Sequence, residues 1–582
     1  MSEQIPTKQS TEQLREKWMK PEVISGSEIL LRSLLLEGVE CVFGYPGGAV
    51  LYIYDAMYGF DDFKHVLTRH EQGAIHAADG YARASGKVGV CIATSGPGAT
   101  NLVTGIATAY MDSVPMVVIT GNVATTLIGT DAFQEADITG ITMPITKHSY
   151  LVRDVEDLPR VIHEAFHIAS TGRKGPVLID IPKDVSAAKT LFQPGESVNL
   201  RGYNPRTVPN KLQLDKLVAA IEQAERPFIL AGGGVIYSGA HEALHEFVTK
   251  TEIPITTTLL GLGAFPSGHE LWTGMPGMHG TYGSNHAIQQ CDLLINIGAR
   301  FDDRVTGKLN GFAPLAKIVH IDIDPAEIGK NVPTDIPIVG DAKTVLEMIN
   351  GDVKRTDKAD AWRAQVKQWK QEQPFRYKDS EEVLKPQWVI EMLNETTKGE
   401  AIVTTDVGQH QMWAAQYYKF NNPRSWITSG GLGTMGFGLP SAIGAQMAEP
   451  ERLVISINGD GGIQMCSQEL AICAINNIPV KVVIINNQVL GMVRQWQELI
   501  YDTRYSHIDL AGSPDFVKLA EAYGVKGLRA SNKEEARKVW QEALDTPGPV
   551  VVEFIVEKYE NVYPMVTQGS TIDQMLLGDE SV

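Results

Sequence analysis

The sequence predicts an α/β protein made of three doubly wound parallel-sheet domains. Three observations carry that expectation. Short apolar runs alternate with amphipathic stretches along most of the chain, a rhythm that buries parallel strands between two layers of helices. Polar stretches of little periodicity interrupt it at 192–210 and 351–385. The length of 582 residues also exceeds one core, since single cores stop growing near about 250–300 residues.

The first block is expected at 22–190. Helical stretches at Gly26–Glu37 and Glu71–Ala84 alternate with apolar runs at Val88–Ala93, Met116–Thr120 and Val177–Ile181. The Pro-, Gly- and Asn-bearing stretch Phe192–Asn210 reads as a linker. The second block, 211–350, has strands at Pro227–Ala231, Leu293–Ile297 and Ile318–Ile323. The charged run Gly351–Lys385 reads as an exposed helix joining blocks. The third block, 386–558, has strands at Ala401–Thr405, Leu453–Ile457, Val480–Ile485 and Val550–Ile555. A tail at 559–582 has no evident core of its own. The first and third blocks share one rhythm, which suits duplication, although no identity between them is visible.

Charge narrows the function classes. With Lys plus Arg 51 and Asp plus Glu 69 the net charge is −18, which argues against nucleic acid or an anionic membrane as the main partner. The five cysteines (41, 91, 291, 466, 473) lack CxxC spacing and fit a reducing, cytoplasmic setting. Cys466 and Cys473 are placed on one helical face as buried apolar groups. The N-terminal MSEQIPTKQSTEQLREKW mixes both charge signs without an apolar core and is not read as a signal or transit peptide. Val88–Met111 and Ser425–Ala448 carry no charge, but Gly, Ser, Thr and Pro break both, so they read as buried strand–turn–helix segments rather than membrane spans.

The sharpest motif is in the third block. The run Leu453–Ile457 leads into Asn458-Gly459-Asp460-Gly461-Gly462, a helix is expected at Ser467–Asn476, and the run Val480–Ile485 ends in Asn486-Asn487. Glycines at a strand's carboxyl edge let backbone approach a phosphate closely. Asp460 and an amide oxygen at the next strand end supply hard ligands, and Mg²⁺ combines few protein oxygens with substrate phosphates. Alone, Gly-Asp-Gly reads more readily as a glycine turn with an asparagine cap. With the Asn-Asn pair downstream and strands on both sides, the stretch resembles the thiamine diphosphate motif, and that resemblance implies thiamine diphosphate with magnesium. In the first block, His70-Glu71-Gln72-Gly73 opens a helix. Glu71 by itself is an ordinary helix-start acid. Beside the magnesium motif it becomes the carboxylate that thiamine enzymes set against N1′ of the aminopyrimidine.

On these motifs the chain resembles the acetohydroxyacid synthase (acetolactate synthase) family of thiamine-diphosphate-dependent enzymes, specifically its catalytic large subunits of the biosynthetic, FAD-containing type. The matching stretches are Phe43–Gly48, His70–Gly73, Thr94–Asn101, Gly129–Glu135, Gly277–Gly280, Arg300–Arg304, Gly433–Gly438 and Asn458–Asn487. Arg300–Arg304 discriminates most, because catabolic relatives lack it together with FAD. The resemblance implies domains binding pyrimidine, FAD and diphosphate. It implies that Glu71 activates the pyrimidine, that Asp460, Asn487 and the Val489 carbonyl hold Mg²⁺, and that Met435 bends thiamine. Gln134, Phe133, Lys183, Arg300, Met492 and Trp496 would line the substrate approach, with Gln134 and Lys183 catalytic. Gly48 and Ala49 would face the thiazolium, and Asn101, Gly433, Gly461 and Met492 the thiamine cofactor. Arg173, Gly232, Gly233, Gly234, Thr256, Leu260, His279, Arg300, Asp322, Ile323 and Asp341 lie in segments that would contact FAD.

The implied reaction decarboxylates pyruvate and ligates the two-carbon unit to a second pyruvate or to 2-ketobutyrate, giving 2-acetolactate or 2-aceto-2-hydroxybutyrate for branched-chain amino acid synthesis. The resemblance further implies a homodimer or homotetramer, with Glu71 and Asp460 of one active site coming from different copies, and a small regulatory subunit. A flavin-active pyruvate oxidase is the alternative chemistry. A degenerate thiamine-fold scaffold is the non-enzymatic one, and intact Glu71, Asp460 and Asn487 argue against it. Two further motif matches are set aside. His241-Glu242-Ala243-Leu244-His245 fits the zinc-protease pattern but follows Ala231-Gly232-Gly233-Gly234 and reads as a solvated helix. Gly431-x-Gly433-x-x-Gly436 fits a dinucleotide fingerprint, but Ser425–Ser429 before it makes a poor buried strand.

Overall fold

The computed structural model describes residues 18, 20–193 and 198–578. The reading of the N-terminal segment lies almost wholly outside them. The chain divides into two compact units. The first ends at Asn204 and also takes in Ile443–Ala448; the second comprises Pro205–Ala442 and resumes at Glu449.

In the first unit, strands β1 (Cys41–Tyr45), β2 (Lys64–Leu67), β3 (Gly89–Ala93), β4 (Met116–Asn122), β5 (His148–Leu151) and β6 (Pro176–Pro182) form one sheet in the order β2-β1-β3-β4-β6-β5. All its pairings are parallel. Every residue of β4 and β6 is buried, because helices cover both faces and leave no solvated side. The helix Glu71–Ser85 starts where His70 accepts a hydrogen bond from the Gln72 N–H and stops at Gly86, whose φ of 77° suits glycine. Helix Gly26–Leu36 opens with a Ser25/Glu28 capping box. The expected linker begins later than the sequence suggested. Phe192 is fully buried and ends the strand Lys189–Phe192, which pairs antiparallel with Glu22–Ser25.

The second unit holds two sheets. Strands β7 (Pro227–Ala231), β8 (Ile255–Thr257), β9 (Leu293–Ile297), β10 (Lys317–Asp322) and β11 (Ile336–Val339) lie in the order β8-β7-β9-β10-β11. Strands β12 (Ile402–Thr405), β13 (Trp426–Thr428), β14 (Val454–Gly459), β15 (Lys481–Asn486), β16 (Lys526–Ala530) and β17 (Val550–Ile555) lie in the order β13-β12-β14-β15-β17-β16. That order repeats the first unit's sheet strand for strand, as the shared rhythm suggested.

Four expectations change. Trp426–Thr428 is a fully buried edge strand, its Thr428 hydroxyl satisfied by Thr405 Oγ1 at 2.7 Å. The helix expected at Ser467–Asn476 is a 3₁₀ turn, Ser467–Glu469, followed by an α-helix, Leu470–Ile475. Cys466 precedes both, so the two buried cysteines do not share a helix face. The run 351–385 contains the helix Asp360–Glu372, but this is no exposed joiner: Trp362 and Val366 are buried with Phe228 and Leu230, and Trp362 Nε1 donates to the Pro227 carbonyl at 2.9 Å. The tail pairs Met565–Val566 with Met575–Leu576 and buries Val562, Met565 and Ile572 against the rest of the unit. Among the described residues no helix is long and apolar enough to cross a membrane.

Candidate active site

In open parallel sheets ligands sit beyond the carboxyl ends of the strands, where the strand order reverses. In the first unit that edge lies beyond β1 and β3. The Pro46-Gly47-Gly48 turn follows β1, and a Cβ on Gly47 would come within 2.5 Å of Thr94. Thr94 Oγ1 accepts from the Ala49 N–H at 3.2 Å. A Cβ on Gly98 would meet Thr94 at 2.7 Å and Glu71 Oε1 at 3.2 Å. Asn101 Nδ2 donates to Glu71 Oε2 at 2.9 Å. Gly47, Ala49 and Gly98 thus gather around Thr94, a residue given no role from sequence, with Glu71 and its partner Asn101 beside Gly98 and Gly48 in the adjoining turn. Gln134 has φ 60°, and its carbonyl lies so near the Gly96 turn that a Cβ there would approach to 2.7 Å. Phe133, next to it, is 88% exposed. Lys183 opens the helix after β6, its ammonium 5.9 Å from the Tyr52 ring centroid. Arg173 lies before β6, at the opposite edge, where its Nε donates to Ser113 Oγ at 2.9 Å; it is not gathered with Glu71.

In the second unit the corresponding edge of the last sheet lies beyond β12, β14 and β15. Asp406, which the sequence reading overlooked, follows β12 and accepts from the N–H groups of Val407 at 2.7 Å and Gly436 at 2.9 Å. Burial pushes its carboxyl up to about 6. It ties down the loop of Gly433 and Met435, in which Gly433 and Gly436 have φ of 73° and 90°. Asp460 opens the turn after β14; burial pushes its carboxyl up to about 7, opposed by the nearby Gly461 and Gln488 backbone. Its Oδ2 is buried and makes no hydrogen bond. On neighbouring β15, Asn487 Oδ1 accepts from the Val489 N–H at 3.3 Å. The segment with Val489 is braced by Leu490 N–H to the Ile508 carbonyl at 2.8 Å and Leu510 N–H to the Gln488 carbonyl at 3.0 Å. A Cβ on Gly461 would lie 2.9 Å from Leu490 and 3.7 Å from Met435 Cε. Met492 and Trp496, both partly buried, ride on the helix Gly491–Ile500.

A buried carboxylate oxygen without a partner is costly unless something cationic meets it. Asp460 and Asn487 at adjoining strand ends offer oxygen only, the donor chemistry of a hard divalent cation with phosphates. Among the described residues no cluster of three or more His, Cys, Asp or Glu could hold a metal. The zinc-protease pattern accordingly has another explanation: His245 is exposed and stacks on Phe265 at 5.6 Å.

Of the residues expected at FAD, all but Arg173 lie in the second unit, most of them along the carboxyl edge of the central sheet. Gly232 and Gly234 follow β7 and press on the turn after β9; Cβ atoms there would approach Gly298 to 2.3 and 2.8 Å. The Gly234 N–H donates to the Gly298 carbonyl at 3.0 Å. A Cβ on Gly233 would sit 3.4 Å from Leu260. Thr256 on β8 donates to the Gly274 carbonyl at 2.7 Å. Arg300 follows β9 and is partly buried. Asp322 ends β10, with Ile323 beyond it, and accepts from the Asp324 N–H at 2.9 Å. Asp341 caps the helix Ala342–Ile349. His279 is buried, its Nδ1 3.1 Å from the Pro564 carbonyl, and burial lowers its pKa to about 4, leaving the ring neutral. Crossing backbones at Gly232, Gly234 and Gly298 exclude a Cβ and leave bare peptide there, the kind of surface a dinucleotide lies against.

These two edges define a thiamine-dependent enzyme, and comparison with known proteins agrees. Models of the thiamine pyrophosphate enzyme match in chain order: the N-terminal TPP-binding domain at 24–141, the central domain at 214–349 and the C-terminal TPP-binding domain at 406–554. An acetolactate synthase of Mycobacterium leprae is 51% identical over 98% of this chain and 93% of its own length. The acetolactate synthase isozyme 3 large subunit of Escherichia coli is 50% identical over 96% of this chain and 99% of its own. The acetolactate synthase large subunit of Haemophilus influenzae is 48% identical over 95% and 98%. The chain belongs to the acetolactate synthase large-subunit family of thiamine pyrophosphate enzymes.

Proposed function

We propose that this protein catalyses the acetolactate synthase reaction. It decarboxylates pyruvate and transfers the two-carbon unit to a second pyruvate or to 2-ketobutyrate, the first common step toward the branched-chain amino acids. The observation that carries the reading is the unpartnered, buried Asp460 Oδ2 beside Asn487 at two adjoining strand ends, in a chain half identical to acetolactate synthases.

Bound thiamine diphosphate supplies the carbon nucleophile and the electron sink. Asp460, Asn487 and the Val489 carbonyl would hold Mg²⁺ against its diphosphate. Met435, beside Gly461, would set its bend, and Gly48, Ala49 and Asn101 would border its ring end. Asn101 occupies Glu71 Oε2, so Glu71 Oε1 is the oxygen that would exchange a proton with N1′ of a bound aminopyrimidine. Gln134 and Lys183 would line the substrate approach as catalytic residues. Arg300 would hold the acceptor's carboxylate and Trp496 its added methyl. One methylene is worth about 1–3 kcal/mol, so preference among 2-ketoacids, not exclusion, is expected. FAD would lie along the central sheet's edge from Gly232 to Asp341.

A homodimer or homotetramer, a small regulatory subunit and a cytoplasmic setting complete the proposal. The last accords with five free, buried cysteines. Incubation with pyruvate, thiamine diphosphate, Mg²⁺ and FAD, followed by product analysis, tests it. Acetolactate is expected; acetate or acetyl phosphate as the main product favours the pyruvate oxidase reading instead.

A further inference from the structure

Asn487 can serve a cation only through Oδ1, because its Nδ2 is a donor. Two buried glutamines, Gln495 on the following helix and the distant Gln409, join the Val489 N–H in deciding which way that amide faces. Gln495 is fully buried on the helix Gly491–Ile500. The Val562 N–H donates to Gln495 Oε1 at 2.9 Å, and Gln495 Nε2 donates to the Val562 carbonyl at 3.0 Å. A peptide unit with one donor and one acceptor admits a single orientation of the paired amide. Gln495 Nε2 also reaches Met565 Sδ at 3.3 Å. Gln495 Oε1 accepts in addition from Gln409 Nε2 at 2.9 Å. Gln409 Nε2 gives its second hydrogen to the Glu560 carbonyl at 3.0 Å. With both donor hydrogens placed, Gln409 turns Oε1 toward Asn487 and accepts from Nδ2 at 3.4 Å. Gly491 leaves the room for this: a Cβ there would lie 2.0 Å from Gln409 Oε1 and 2.8 Å from Asn487 Nδ2.

We infer that Gln495 is a positioning residue of the cation site: acting through Gln409, it turns the Asn487 amide so that Oδ1 faces the metal, and the backbone of Val562 sets the direction of the relay. The inference rests on the proposal that Asp460 and Asn487 hold Mg²⁺. Outer partners of this kind are typically worth about 10–100-fold in metal affinity.

The test is calorimetric titration of Mg²⁺ into the full-length protein with thiamine diphosphate present. Gln495→Met should raise the Kd for Mg²⁺ about tenfold or more. In Asn487→Asp the two oxygens are equivalent, so orientation no longer matters. Adding Gln495→Met to that background should change Kd by at most about twofold, a strong departure from additivity. Equal losses in both backgrounds would reduce Gln495 to a packing residue and overturn the relay. If Gln495→Met does not fold, Gln495→Glu replaces it. The protonated carboxyl still donates to the Val562 carbonyl and accepts from the Val562 N–H and from Gln409, so Kd should stay close to wild type, and a loss of about tenfold would overturn the relay. Asp460→Ala separates the two readings. If it abolishes Mg²⁺ binding while Gln495→Met changes nothing, the relay alone fails. If Asp460→Ala leaves Kd unchanged, the metal assignment fails and the relay falls with it.

Discussion

Glu71 is held at one oxygen by Asn101 and borders the Gly98 turn with the other. Glu71→Gln keeps this shape and removes the transferable proton. It should bind thiamine diphosphate as wild type does and lose activity by at least about a hundredfold; turnover near wild type would return Glu71 to being a helix-start acid. A second carboxylate invites a different measurement. Asp180 is buried in β6 and accepts from Thr120 Oγ1 at 2.7 Å and Asn122 Nδ2 at 2.5 Å. Burial, the largest cause, pushes its carboxyl from 3.8 to about 7. Its folded pKa therefore exceeds the unfolded one. Between these values the folded chain keeps a proton that the unfolded chain releases, so this group's contribution is fullest in acid and declines as pH rises toward 7. Asp180→Asn removes the titration. Urea midpoints between pH 5 and 8 should fall less steeply in the variant than in wild type, and parallel profiles would refute the assignment.

Strand ends, rather than single side chains, carry most of the site. At β7 a Cβ on Gly232 would fall 2.3 Å from the Gly298 carbonyl oxygen and 2.7 Å from Ala299 Cα. Both obstacles are backbone in a buried crossing and cannot swing away. Gly232→Ala should cost about 1–3 kcal/mol and yield protein with less flavin absorbance per chain; full flavin content would contradict the placement of FAD. This element also shows what a sequence makes legible. The strands Pro227–Ala231, Leu293–Ile297 and Val550–Ile555 have the bounds their apolar runs predict, because burial on both faces leaves an unbroken hydrophobic signal. Trp426–Thr428 was obscure: three residues flanked by serines carry no period, and the Thr405 contact that makes Thr428 buriable lies 23 residues away. Trp362 and Val366 hid in a charged run because only two positions of that helix are buried. In the site, Asp460 and Asn487 stood out through their glycine and strand context. Thr94, Asp406, Gln409 and Gln495 did not, because their roles lie in hydrogen bonds to distant residues: Gln409 and Gln495 are 86 positions apart.

The proposed reaction joins decarboxylation to carboligation and is redox-neutral, yet the central sheet presents bare peptide where Gly232 and Gly234 cross Gly298. We expect the flavin to be structural in the main reaction. Protein reconstituted with a redox-dead flavin analogue should still form acetolactate, while flavin-free protein should be poorly active. An absolute need for flavin reduction and reoxidation in every turnover would overturn this.

The three sheets contain no antiparallel neighbours, and that has a kinetic consequence. No pair can zip from a hairpin; each waits for an intervening crossover. Thr120 meets Asp180 across 60 residues. While the chain is being made, β4 keeps an open edge until β6 has been synthesised, and loop closure must precede the contacts that reward it. Dilution from urea should therefore regain native fluorescence slowly, over seconds or longer, with yield falling as protein concentration rises, because exposed strand edges find one another before their own partners arrive. A nascent copy of this enzyme is exposed to aggregation between the emergence of β4 and that of β6, and again between β15 and β17.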